Sequence, residues 1–415
     1  DSPGYMLLAQ NLVEHGTLSF ADASPYPPTN FRTPGYPLFL ALIYLIFHSF
    51  VPAIFFGAII SAFSAPLIYL MAKEVFSENI AFGAGILTAL EPMGLFLGVS
   101  ILTEGVFTPI LLLVIYLFIR YLKAGNNIYL YGSSVLLALA TLIRPIMFYF
   151  WPLVVLFILY KESGLGLRPV LKKVFIFIAI FFIVLSPWLI RNKIVVNSWQ
   201  ITGLQGYIFF VDHYGAVLRY LGEAGPLSDV QNMIPSLLAP NKMFTSEGSD
   251  ILFNSALSGI KQHKLAYANI YAKSMMSFFI ANGYKLLFID ILGVPAKTPY
   301  IPLELFLRLD LKSIFKTFAD MDFTGFLIYW GSKIIWAAIF LSFLTALVYL
   351  LFSKNYKTIR AEIIFIATVI FYFALITGPT VIGGGRTKAP VNGLIFIFVV
   401  FGFIKFYGFL RKKIA

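Results

Sequence analysis

The sequence predicts an all-α polytopic membrane protein, and three observations point there. Of the 415 residues, 59% are apolar and only 12% charged, with a mean hydropathy of +0.86, whereas soluble chains are about 45–50% apolar and about 25% charged. That much apolar surface exceeds what one soluble core can hold, so the surplus faces lipid. The apolar stretches are long and bounded by Lys and Arg clusters, which favours helices over the short alternating strands of a membrane barrel. A soluble enzyme is excluded. The chain has no Cys, which removes disulfides, Cys-ligated zinc and thiol nucleophiles.

The chain opens at Asp1 without a methionine or a signal-like stretch, so it is expected to be the remainder of a longer protein whose first helix is missing. Residues 1–50 read as a first external loop with juxtamembrane helices. A short helix is expected from Met6 to Gly16, and the apolar run from Pro34 to Phe50 is too short to cross, so it reads as interfacial or re-entrant. Residues 51–190 form an N-terminal membrane bundle with spans at about 51–72, 79–98, 105–122 and 174–190. The run of about 128–160 is too long for one helix and is broken at Arg144-Pro145, so two spans are expected to meet there. Residues 191–327 hold most of the scattered polar residues and read as an external or interfacial segment, with the apolar piece from Ser274 to Leu292 lying on the membrane or against the bundle. Residues 328–415 supply three more spans, at about 328–352, 361–379 and 390–410, making about nine. There is no internal repeat and no low-complexity tract.

Alternate threading places Lys73, Arg120, Lys123, Lys161, Arg168, Lys172, Lys173, Lys354, Lys357, Arg360, Arg411, Lys412 and Lys413 on one side, which the positive-inside rule makes the cytoplasm. The net charge of +12 therefore reads mainly as an orientation signal, and nucleic acid is not an expected partner. The opposite face collects Asp1, the Leu102-Thr103-Glu104 loop, Arg144, Arg191 and the loop from Gly383 to Lys388.

Ionisable residues gathered at one face of a membrane bundle are functional candidates, because charge near hydrocarbon is costly. Asp1 reads either as a helix N-cap or as a general base at the mouth of a cavity. Glu104 stands just before a span whose helix start an acidic side chain also favours. Arg32, Arg144, Arg191 and Arg386, with Lys388, sit where the usual charge bias disfavours cations, and they call for an anionic partner. Arginine's planar fork suits phosphate oxygens, and glycines bring backbone N–H groups close. A phosphate-bearing ligand at the outer face follows. Tyr5, Tyr26 and Tyr36 fit an interfacial aromatic belt or a sugar-stacking surface. His48, His213 and His263 are too scattered for a metal set, and Glu91-Pro92 reads as a local helix kink or a cavity lining.

Taken together, Asp1 with Tyr5 and Ala9, Arg32-Thr33-Pro34-Gly35-Tyr36-Pro37, Leu102-Thr103-Glu104, Arg144-Pro145, Pro187-Trp188 with Arg191-Asn192, and Arg386 ahead of Pro390 resemble the GT-C class of membrane glycosyltransferases. The nearest resemblance is to the protein O-mannosyltransferase and aminoarabinose lipid A transferase group, including the bacterial branch that modifies lipopolysaccharide core sugars. It implies a GT-C helix bundle preceded by one further helix. It also implies an acidic residue in the first external loop, matching Asp1, and one in the second, matching Glu104. Many members carry Asp-Glu at the first position, where this chain has Asp1-Ser2. The implied activity is transfer of a hexose or pentose from a polyprenyl-phosphate donor to an acceptor hydroxyl at the periplasmic or external face, usually with inversion, in a bacterial inner membrane.

On this reading Asp1 draws the acceptor's proton, and Arg144, Arg191, Arg386, Lys388 and Arg32 hold the donor phosphate. Tyr5 and Tyr36 bind substrate. Glu104 orients the acceptor, orients the sugar hydroxyls or holds an arginine. No cofactor and no divalent metal are expected. Partners would be membrane lipid, the lipid-linked sugar, and a glycan, lipid or protein acceptor. The competing reading is a secondary transporter or flippase of lipid-linked sugars, which would place its charges near the bilayer midplane on repeated, broken helices.

Overall fold

The computed structural model describes residues 1–225, 227–239, 242–297, 310–378 and 384–414. Among them every regular element is helical. Six helices are long and apolar enough to cross a membrane: Val51–Val75, Glu104–Ala124, Leu167–Val196, Phe323–Phe352, Lys354–Thr377 and Gly385–Gly408. The protein is thus a multi-pass integral membrane protein.

Of the about nine spans expected, six are single long helices among the described residues, and the other three are bent or short. The span at 79–98 is a bent pair, Glu78–Ala89 and Pro92–Gly98, with an angle of 59° between its halves. Glu91 turns the corner, and its carboxylate accepts the Gly94 N–H at 2.6 Å as an N-cap. The two spans meeting at Arg144 are short helices, Asn127–Ile143 and Pro145–Lys161. Pro145 drives the preceding residue out of the helical region, and Arg144 is extended at φ −135°, ψ 113°. Six helices are therefore long enough to cross, seven if the bent pair is one span, while these two legs sit at the short limit. Gly35–Phe47, at 13 residues, is too short to cross, as expected.

The bundle core is aromatic. Phe118, on the helix Glu104–Ala124, packs 4.5 Å from Phe365, whose ring also meets Phe157 at 5.1 Å. Three helices are thereby locked around one cluster. Glu104–Ala124 lies along Asn127–Ile143 and ends at Gly125, whose positive φ of 67° closes the helix in a conformation open to glycine. The helix Lys264–Ile280 packs against the bundle through Phe279, stacked on Phe340 at 4.2 Å. A second, smaller core of Phe210, Val211, Val230, Ile234, Leu238, Leu252 and Ala256 lies in the segment after the helix Leu167–Val196.

Candidate active site

Five charged side chains from five distant segments converge at the Glu104 end of the bundle. Asp1 occupies the N-cap position of the helix Ser2–His15 without capping it. Its carboxylate turns instead to two guanidinium groups, accepting from Arg32 Nη2 at 2.7 Å on Oδ1 and from Arg386 Nη1 at 2.7 Å on Oδ2. Glu104 is the first residue of its helix and only 1% exposed. Arg386 grips it with a fork, Nε to Oε1 and Nη2 to Oε2, the latter at 3.2 Å. Arg144 Nη1 stands 3.0 Å from Glu104 Oε1 as an ion pair, with its guanidinium 5.3 Å from the centre of the Phe107 ring. Three cations and two anions leave this cluster one positive charge in excess, at a partly open surface where Asp1 and Arg386 expose 30% and 28% of their side chains.

Local structure explains how each arrives there. The motif around Arg32 is a docking device: Thr33 Oγ1 donates to the Ile143 carbonyl at 3.2 Å, and a Cβ on Gly35 would stand 2.7 Å from the Leu142 carbonyl oxygen. That close approach seats the loop against the Arg144 corner. The preceding residues are tied to the segment after the helix Leu167–Val196, since Thr29 Oγ1 donates to the Phe244 carbonyl at 2.7 Å, Gly203 N–H to Asn30 O at 2.9 Å, and Thr202 Oγ1 to Phe31 O at 2.7 Å. Arg386 stands in the first turn of the helix Gly384–Ile414, where a loop was expected; Gly383 lies outside the described residues. Gly385 has a packing role. A Cβ there would meet the Asn282 carbonyl carbon at 2.1 Å, so glycine is required for packing.

Not every expected ligand joins the cluster. Lys388 is two residues beyond Arg386, about 200° around a helix, and points the other way. It is fully buried, its Nζ donates to the Phe279 carbonyl at 3.0 Å and lies 3.2 Å from the centre of the Trp336 ring. Arg191 donates to Thr29 O at 2.9 Å and Asn192 Oδ1 at 3.2 Å, beside the Trp188 ring at 5.0 Å. It braces the Arg32 loop through the backbone. Tyr5 and Tyr36 pack edge to face at 5.1 Å and are 7% and 2% exposed, so they form a floor under Arg32 rather than an open stacking face. Burial pushes the Tyr36 hydroxyl well above its ordinary range, with Tyr5 and Glu104 adding to the shift. Tyr26 stacks on His15 at 3.9 Å.

Among the described residues, no three His, Cys, Asp or Glu side chains come together in a way that could hold a metal ion. Sequence reasoning missed Phe107 beneath Arg144, and also the backbone anchors at Thr29 and Asn30. The run Pro25-Tyr26-Pro27-Pro28-Thr29-Asn30 was the available signal of a shaped loop.

Fold and site together define a membrane-embedded helix bundle with a carboxylate–guanidinium cluster at one end. Residues 31–190 match the sequence profile of the dolichyl-phosphate-mannose-protein mannosyltransferase family, a stretch that includes Arg32, Glu104 and Arg144. No curated protein matches the chain. Among solved structures, the chain is similar to the Archaeoglobus fulgidus oligosaccharyltransferase tethered with an acceptor peptide, at 12% identity and TM-score 0.49, covering 99% of this chain and 46% of that one. The same organism's AglB, in complex with an inhibitory peptide and a dolichol-phosphate, gives 13% identity and TM-score 0.46, with 99% and 47% covered. ArnT from Cupriavidus metallidurans bound to undecaprenyl phosphate gives 12% identity and TM-score 0.41, with 97% and 73% covered. The chain thus spans about half the length of the oligosaccharyltransferase chains it matches.

Proposed function

We propose that this protein is a glycosyltransferase that moves a sugar from a polyprenyl-phosphate donor to an acceptor hydroxyl, with inversion, at the external face of the membrane. The observation that carries the reading is the convergence of Arg32, Arg144 and Arg386 on Asp1 and Glu104 at one end of a membrane bundle. The match of residues 31–190 to a family whose name carries a lipid-phosphate-linked mannose supports the same class. The Lys-rich end is read as cytoplasmic, which puts the cluster outside, with residues 1–50 and 191–327 as the external portions and 51–190 and 328–415 as the membrane portions.

The chemistry follows from charge. An acceptor hydroxyl ionises far above neutral pH, so its proton must leave as the new bond forms. In this reading the hydroxyl oxygen attacks the anomeric carbon, its proton passes to the Asp1 carboxylate, and the bond from that carbon to the phosphate oxygen breaks with its electrons going to phosphate. The donor phosphodiester carries one negative charge and matches the single positive excess of the cluster. The product phosphate carries two, and the proton gained by Asp1 raises the cluster's charge by the same amount. Preorganised guanidinium groups stabilise that developing charge without reorganising. Glu104 serves as a positioning residue that holds Arg386 and Arg144. Arg191 and Lys388 are assigned to the scaffold rather than to the phosphate.

The test is sugar transfer by an Asp1→Asn variant that is folded and inserted. Loss of transfer is expected, and retained turnover removes Asp1 as the base. Analysis of lipids, glycans and proteins in cells lacking the gene would identify the acceptor class by the sugar that disappears.

A further inference from the structure

We infer that Arg386 acts as a switch that keeps Asp1 occupied until a donor phosphate arrives, so that donor binding precedes deprotonation of the acceptor. This inference rests on the reading of Asp1 as base and of the arginine cluster as the phosphate site.

Both oxygens of Asp1 are engaged, one by Arg32 and one by Arg386, each at 2.7 Å. A carboxylate that accepts charge-assisted hydrogen bonds on both oxygens has those oxygens turned to its partners rather than to an incoming hydroxyl. As the structure stands, the base is blocked. The block has a weak side. Arg386 divides its donors unequally, with Nε and Nη2 on Glu104 and Nη1 alone on Asp1. The Glu104 link is a fork onto a carboxylate 1% exposed, where water does not screen it. The Asp1 link is a single contact between side chains 28% and 30% exposed, and such pairs are worth little.

An anionic phosphate oxygen entering from the open side competes for the most accessible of these bonds, Arg386 Nη1 to Asp1 Oδ2. Glu104 meanwhile keeps the guanidinium in place by its other two donors, so the arginine changes partners without leaving the site. Asp1 Oδ2 is then free to accept a proton, while Arg32 still orients the carboxylate through Oδ1. Without a donor, Asp1 remains tied and does not activate water or an acceptor. The two carboxylates thereby have separate tasks: Glu104 anchors the switch and Asp1 is what it releases.

The competition predicts an unusual sign. Removing the negative charge of Asp1 frees Arg386 for phosphate, so Asp1→Asn and Asp1→Ser should bind undecaprenyl phosphate more tightly than the unaltered protein in detergent micelles. The expected gain is about fivefold, equivalent to about 1 kcal/mol, the upper range for an exposed ion pair. Unchanged or weaker binding in both variants overturns the switch. A merely structural role for Asp1 lowers affinity and does not raise it. Tighter binding with retained sugar transfer would leave the competition standing and remove Asp1 as base; lost transfer without tighter binding would do the reverse. In the unaltered protein, saturating undecaprenyl phosphate should also increase labelling of Asp1 by a water-soluble carbodiimide and an amine tag, mapped by mass spectrometry. A fall or no change in that labelling counts against the release of Oδ2.

Discussion

The helix Glu104–Ala124 carries charge at both ends, and its two ends are built differently. At the far end Glu74 pairs with Lys123 at 2.9 Å and Arg120 at 3.4 Å, and Lys73 with Glu78 at 3.3 Å. Lys73 and Lys123 are half-exposed there, so water screens these pairs. At the Glu104 end the cations are all arginines, they come from segments as far apart as residues 32, 144 and 386, and one of the two carboxylates is buried. Lysines joining neighbouring helices suit orientation in the membrane. Arginines gathered across the whole chain on shared carboxylates hold a geometry, and that difference separates a surface from a site.

The sharpest way to break this contrast is to remove one carboxylate at each end. Glu104→Ala strands two guanidinium groups against a buried position and should destabilise the protein by about 3–5 kcal/mol. Glu74→Ala should cost less than about 1 kcal/mol. Thermal unfolding of the two variants in detergent measures both, and similar losses would erase the distinction. Asp1→Asn comes next, with transfer expected to fall by about 10²–10⁴-fold while the unfolding midpoint holds.

Lys388 tests the contrast within one helix. Lys388→Met keeps the stem volume but gives up the bond to the Phe279 carbonyl, and should cost about 1–3 kcal/mol of stability with no change in undecaprenyl phosphate affinity. Weakened phosphate binding would return Lys388 to the cluster.

A last test concerns a buried carboxylate outside the bundle. Burial pushes Asp212 up to about 7, against the opposing pull of Arg219. Between about pH 4 and 7 the folded state therefore holds more protons than the unfolded one, so stability falls as pH rises through that window. Asp212→Asn should remove the fall, as read from unfolding midpoints across that range; an unaltered slope assigns the dependence to other groups.

Much of the site was legible because charge is scarce in such a sequence. Asp1, Arg32, Glu104, Arg144 and Arg386 stand out against 59% apolar residues, and alternate threading of the spans puts them on one face. Rotation about a helix axis was not legible. Lys388 follows Arg386 so closely that sequence grouped them, while the helix sends them to opposite sides. Arg191's bracing contact was hidden for a related reason, since its partner is a backbone carbonyl at Thr29, and a carbonyl leaves no mark in the sequence. The small core around Phe210 and Leu252 also escaped, because only Ser246–Gln262 among its helices is long, and the stretches that carry Phe210, Val230 and Ile234 have four to six residues, too few to show a period.

The corner at Arg144 has a consequence for the membrane itself. Its first leg, Asn127–Ile143, has 17 residues and reaches about 25 Å at 1.5 Å per residue, some 5 Å short of a hydrocarbon layer of about 30 Å. A leg too short for its bilayer draws the lipid surface toward it. On the orientation proposed above, that thinning falls on the leaflet over the arginines and brings lipid headgroups nearer to them. Thinner bilayers should relieve that mismatch, and sugar transfer compared between bilayers of different chain length would measure its effect.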